Sequence, residues 1–423
     1  MRLCAHRSII NQKMLRKRPL PVRYSPPIVI GLLLVLLGLA GCRPAATSTP
    51  TAIAARTSTP LPSPTITVSP SPTAIHTSTA LPTPTSEPWV SYWPKGQTTN
   101  QITALAIAPS DEKTVYASTS AALYRSTDGG KSWAVVSTLP NLVALTVDPT
   151  NRDNLYAYFW PKLIDSPPEP KGFRKSSDGG RSWSDPSNGA SADLIGPATT
   201  VAIGPFNPNI ILIGTAYYRT YGRILSSTDG GATWQVTYTI NSLMGAGDIT
   251  DIAIHPTSAS IVYAGHTVYH GGPVIRSDDG GLSWQYTATV PMPLSFPAGL
   301  ALDPSDPDIV YVAYQAPMGA GAAVYRSRDG GLSWTKASNG LPEEAASGAH
   351  LAIDPVNPRV LFLSIQGLNA GIYRTKDGAD SWARLSPEGT SQFAYVTSLS
   401  YSPVEHTLYA GTNEGVWQRG PLP

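Results

Sequence analysis

Apolar positions in this chain recur on two scales. Locally they alternate with polar ones at the period of two that marks a half-buried β-strand. From about residue 88 onward the same set of four such windows returns roughly every 50 residues, the length of one propeller blade. In one copy Leu300 to Asp303 alternates into a proline turn, and Ile309 to Tyr314 runs back. Val324 to Ser327 makes a third window and Trp334 opens a fourth. Equivalent first windows lie at Leu105 to Ala108, Val143 to Asp148, Thr200 to Gly204, Asp251 to His255, Leu351 to Asp354 and Ser398 to Ser402. The pattern predicts an all-β fold, a single seven-bladed β-propeller with one blade per repeat.

Six of the repeats share the turn between their third and fourth windows. It reads STDGGKSW (Ser126 to Trp133), SSDGGRSW (Ser176 to Trp183), STDGGATW (Ser227 to Trp234), SDDGGLSW (Ser277 to Trp284), SRDGGLSW (Ser327 to Trp334) and TKDGADSW (Thr375 to Trp382). Asp128, Asp178, Asp229, Asp279, Asp329 and Asp377 are placed to accept backbone N–H groups just ahead of them. The glycines that follow permit positive φ, the next Ser or Thr closes the polar ring, and the Trp packs between sheets. Ala379 replaces the second glycine in the last copy, where a strained or different turn is expected. One aspartate per blade spreads the set around a ring, so these six are structural rather than catalytic or metal-binding.

Seven first windows but only six such turns leave one blade incomplete. The last repeat stops after its third window, Gly415 to Arg419, while Trp89 in EPWVSYW matches the tryptophan that follows each turn. The N-terminal strand is therefore expected to close the last blade and remove its free edge. Seven of the ten tryptophans then have one structural role.

The turn S-x-D-G-G-x-[ST]-W resembles the Asp-box, or bacterial neuraminidase repeat, and the resemblance covers residues 88–423. That superfamily includes sialidases, two-propeller xyloglucanases, sortilin-like receptors and a photosystem II assembly-factor family. It implies the propeller but mixes enzymes with binding proteins. Sialidase chemistry would imply three converging arginines, yet the Arg-Ile-Pro motif is absent and Arg219 and Arg223 alone stand on the expected rim. A xyloglucanase cleft implies two propellers, and this chain has repeats for one.

Ahead of the propeller, residues 1–27 hold seven basic side chains and no acid, followed by an apolar run from Ile28 to Ala40. That run is about half the length a spanning helix needs. It ends in Leu39-Ala40-Gly41-Cys42, which resembles a bacterial lipobox, so residues 1–41 read as a lipoprotein signal peptide and Cys42 as the lipidated residue. Residues 42–87 read as a Pro/Thr/Ser-rich spacer and residues 88–423 as the propeller. Loss of the signal changes the charge: 30 Lys and Arg less those seven leave 23 against 28 Asp and Glu, a net of −5. No nucleic-acid partner is implied. The expected location is the bacterial cell envelope, extracytoplasmic and lipid-anchored, as a monomer with the membrane as one partner.

Propeller geometry puts the aspartate turns and the first-to-second-strand turns on one rim. Short turns there run Asp148-Pro149, His255-Pro256, Asp303-Pro304 and Asp354-Pro355, and their acids read as turn formers. The opposite rim is irregular, and recognition is expected on it. Its candidate ligand-binding residues are Trp160, Tyr217, Tyr218, Arg219, Tyr221, Tyr269, His270 and Tyr314. Aromatic faces beside acids and amides suit a glycan or a protein ligand. The favoured reading is a binding or assembly scaffold. The alternative is a glycoside hydrolase using some pair among Asp165, Asp248, Glu343, Glu344, Glu388 and Glu414. His266 and His270, four apart, lack a third ligand, so neither a metal nor a cofactor is expected.

Overall fold

The computed structural model describes residues 88–95, 101–159, 172–187, 197–216, 221–240, 247–268, 271–291, 295–315, 323–343 and 347–422. Seven antiparallel sheets follow one another in chain order, and their innermost strands pack side by side in a ring that closes from Val396–Ser402 back to Ile102–Ile107. The protein is an all-β, seven-bladed β-propeller. Besides strands, the described residues include a short 3₁₀ turn at Ser391–Phe393. None of their helices is long and apolar enough to cross a membrane.

Burial grades across each blade. Second strands such as Ile211–Thr215 and Val262–His266 are buried end to end, which explains their apolar runs. Fourth strands such as Ala134–Ser137 lie open to solvent. Each apolar side chain sealed between blades contributes about 1.5–3 kcal/mol. Tryptophans of the fourth strands lock blades together. Trp234 meets Phe173 of the preceding blade edge-on at 5.1 Å, and the Trp382 indole donates to Ala337 O at 2.8 Å.

The aspartate turn forms as its residues require. In blade two, Ser182 donates to Asp178 through its hydroxyl at 2.6 Å and its backbone N–H at 2.9 Å. The Ser176 hydroxyl donates to the same carboxylate at 2.8 Å and accepts from Gly180 N at 2.9 Å. The Ser182 hydroxyl, then its N–H, hold the Asp178 carboxyl down at about 2 against slight burial. A carboxylate so held does not donate protons near neutrality. Ala379 keeps the same turn, its N–H reaching Thr375 Oγ1 at 3.0 Å, but at φ 69° in the left-handed region. The turn is strained, not different in type.

The last blade closes as the strand count requires. Val90 exchanges hydrogen bonds with Gln418, N–H to carbonyl, at 2.9 and 2.8 Å, beside the three-stranded sheet of Val396–Ser402, Thr407–Thr412 and Gly415–Arg419. Trp89 packs on Phe393 at 4.7 Å. In blade two the fourth strand shrinks to one bridge, Lys175 to Ser184.

Candidate functional site

The irregular rim is a hydrogen-bonded ledge across blades three to five. Gly222 N donates to Gly247 O at 3.0 Å, and Thr267 N to Asp248 O at 2.8 Å. Asp248 N donates in turn to Thr267 Oγ1 at 2.7 Å, and Gly272 N to Ser295 O at 2.7 Å. Glycine is required at two of these crossings. A Cβ on Gly247 would stand 1.8 Å from Thr267 O, and one on Gly272 would stand 2.2 Å from His266 O. The described ends of these loops are thus tied to one another.

Tyr314 is a correction to the sequence reading. It was expected as a ligand-contacting rim residue, yet it is 1% exposed and its hydroxyl donates to Gly272 O at 3.1 Å. Its position at the end of a buried second strand places the ring inside, where it pins the blade-four loop from below. Tyr221 is at the surface, 36% exposed. Trp160, Tyr217, Tyr218, Arg219, Tyr269 and His270 lie outside the described residues, as do Asp165, Glu344, Cys42 and all of residues 1–87. Glu343, Glu388 and Glu414 are exposed, and Glu414 accepts the Ser391 hydroxyl at 3.2 Å.

Between blades three and four the structure brings together a group that sequence reasoning missed. Tyr238 from the outer strand Gln235–Thr239 bonds His266 Nε2 at 3.1 Å and the Tyr286 hydroxyl at 3.0 Å. Burial pushes the His266 imidazole down to about 4, so it is neutral at pH 7. Its Nδ1 lies 3.4 Å from Thr267 O, which can only accept. Nδ1 therefore carries the proton, and Nε2 accepts from Tyr238. Tyr238 is itself raised by burial and by the Tyr286 bond, and stays a phenol. Tyr286 is 50% exposed at the end of this chain. The available signal was an aromatic two or four residues after Trp284 and Trp234, on strands whose pattern leaves them open.

Two ionisable residues sit lower, on the innermost strands. Asp251 and His350 occupy the same position, three residues before the end of the innermost strand in blades four and six, with Gly299 at that position in blade five. Both are partly exposed, although protein surrounds them closely. Burial raises Asp251 to about 6 against two opposing hydrogen bonds, from Leu300 N and Ile252 N, each at 2.9 Å. Burial lowers His350 to about 4. Asp251 spends one oxygen on its own blade and the other on the next, so it ties two blades together. At neutral pH Tyr238 and His266 above are uncharged, and with Tyr286 they offer hydrogen-bond donors and acceptors. That arrangement suits stacking and hydrogen bonding rather than proton transfer.

No family model and no curated protein matches the chain. Solved structures do. A GH74 xyloglucanase from Xanthomonas campestris superposes with a TM-score of 0.61 at 19% identity, over 78% of this chain and 53% of that one. YCF48 from Cyanidioschyzon merolae superposes at 0.54 and 15% identity, over 78% of this chain and 98% of that one. The extracellular domain of a hybrid two-component system from B. thetaiotaomicron gives 0.57 at 12% identity, over 79% and 40%. What they share with this chain is the propeller. The chain spans about half the length of the GH74 structures.

Proposed function

We propose that this protein is a binding or assembly scaffold that recognises a glycan or a protein ligand on its irregular rim. The observation that carries the reading is the ledge of blades three to five. The described ends of its loops are cross-tied, Tyr221 and Tyr286 are exposed, and Asp251, the one described carboxyl raised toward neutrality, has both oxygens committed to backbone N–H groups. A cross-tied aromatic rim favours holding a ligand over breaking it. The fold is shared by a xyloglucanase, by YCF48, which has been seen bound to D1 peptide, and by the extracellular domain of a two-component system. All three kinds of role are therefore open to the architecture.

The scaffold is extracytoplasmic and bacterial in this reading, anchored through a lipidated Cys42 with residues 43–87 as the spacer. Cys42→Ser is expected to move the protein from the detergent-soluble membrane fraction to the aqueous one. The recognition reading is tested with a glycan array and a peptide array on the purified protein, each bound glycan then checked for cleavage. Binding without turnover, reduced by Tyr286→Ala, is the expected result. Cleavage would instead establish the glycoside hydrolase reading, with Asp248, Glu343, Glu388 and Glu414 the first carboxylates to replace.

A further inference from the structure

On the rim opposite the candidate site, four third strands carry an arginine just before the aspartate turn: Arg125, Arg276, Arg326 and Arg374. Three of them reach into the following blade. Arg125 pairs with Asp153 at 2.6 Å. Arg276 pairs with Asp278 of its own turn at 2.7 Å and reaches across to Asp308 at 3.3 Å and Gly330 O at 3.1 Å. Arg326 pairs with Asp380 at 2.8 Å and donates to Gly378 O. The partner is each time a carboxylate of the next blade, joined in two cases by a carbonyl of that blade's aspartate turn.

Arg374 has no such blade to reach. Blade seven lacks an aspartate turn, because its third strand runs out through residues 420–422 and its fourth comes from the N-terminal end of the described propeller. His406 also holds the register position of Asp153 and Asp308. Each stands two residues before a residue that opens the pairing with its third strand: Leu155 with Ser176, Val310 with Ser327, Leu408 with Arg419. In place of turn and acid there is a cleft of about 740 Å³, walled by Arg374, Lys376, His406, Asn357 and Tyr401.

Among the described residues, Arg374 has neither an ion pair nor a hydrogen bond. Its charged neighbour is Arg419, which is buried, donates one N–H to Leu385 O and has no carboxylate partner among those residues either. Asp354, the one acid on the cleft wall, accepts Val356 N and Asn357 N on one oxygen at 2.9 and 3.1 Å and pairs with neither arginine. Desolvated guanidinium without counter-charge is costly, so the cleft holds unspent affinity for an anion.

We propose that this cleft docks an acidic, turn-forming peptide segment of a partner protein, whose aspartate pairs with Arg374 as Asp380 pairs with Arg326. A peptide fits better than a bare anion because two of the three filled sites take a carboxylate and a turn carbonyl together. The probe is a synthetic peptide with this chain's own turn, TKDGADSW, titrated into the full chain by calorimetry, with a counterpart carrying Asn for its second aspartate (the Asp380 position) as control. Binding that falls about tenfold or more for the Asn peptide, and equally for Arg374→Gln, is expected. His406→Asp supplies the missing acid internally, so that variant should fold with a raised Tm and lose the peptide. Equal binding of both peptides, binding that survives either substitution, or no binding at all overturns the proposal. Sulfate or glucuronate displacing the peptide at equal concentration also overturns it, in favour of a simple anion pocket.

Discussion

Gly231 and Ala379 hold the same place in two aspartate turns, at φ 94° and 69°, and the contrast shows what each turn tolerates. Ala379 is fully buried in a cluster with Tyr311 and Leu341, where its methyl group has room. A Cβ on Gly231 would stand 2.5 Å from Phe173 Cε1, a ring already packed on Trp234. Gly231→Ala is therefore expected to cost about 2–4 kcal/mol, from left-handed strain of about 1–2 kcal/mol and overpacking on top. Urea denaturation checks this, and a loss under about 0.5 kcal/mol would mean that Phe173 yields freely. The aspartates were readable because their bonds lie within four residues. Tyr314 was misread because a tyrosine at a strand end looks the same whether it points out or into the sheet. Only the position of Gly272 O, 42 residues away, decides it.

At the scale of the element, the N-terminal strand is the one piece that joins the ends of the propeller. Its fixing bond pair runs between Val90 and Gln418. Val90→Pro removes the donor to Gln418 O and keeps the carbonyl that accepts from Gln418 N. The expected loss is about 1–3 kcal/mol, with more aggregation on heating as the edge of Gly415–Arg419 opens. An unchanged denaturation midpoint would place the closing force in the Trp89–Phe393 contact instead. Strand order, blade count and this closure were all legible, since each follows from period and from one unmatched tryptophan. The Tyr238–His266–Tyr286 group was not, because its members come from different blades and sit at unequal offsets from their tryptophans. The empty partner of Arg374 was recoverable in principle: aligning the repeats puts His406 against Asp153 and Asp308.

For the whole molecule, the buried groups set how stability follows pH. His266 and His350 titrate at about 4 in the fold and at an ordinary 6.5 unfolded. Between those values the unfolded chain binds more protons, so stability falls as pH drops from about 6.5 to about 4 and then levels. Asp251 runs the other way, at about 6 folded against 3.8 unfolded. Over that window the native state binds the extra proton, and stability rises as pH drops. The aspartate turns enter lower: the stability their depressed carboxyls contribute is present above 3.8 and lost only toward about 2. Acid destabilisation should therefore begin near pH 6.5, well above the carboxylate range, with Asp251 partly offsetting it below pH 6. Asp251→Asn isolates that offset. Whatever the variant loses in hydrogen bonding is constant with pH, but its stability relative to the native protein should be better at pH 7 than at pH 4. Two units at about 1.4 kcal/mol each make that difference about 3 kcal/mol. Parallel stability curves for the two proteins between pH 4 and 7 would mean that Asp251 is hydrated on the axis of the ring and titrates as an ordinary carboxylate.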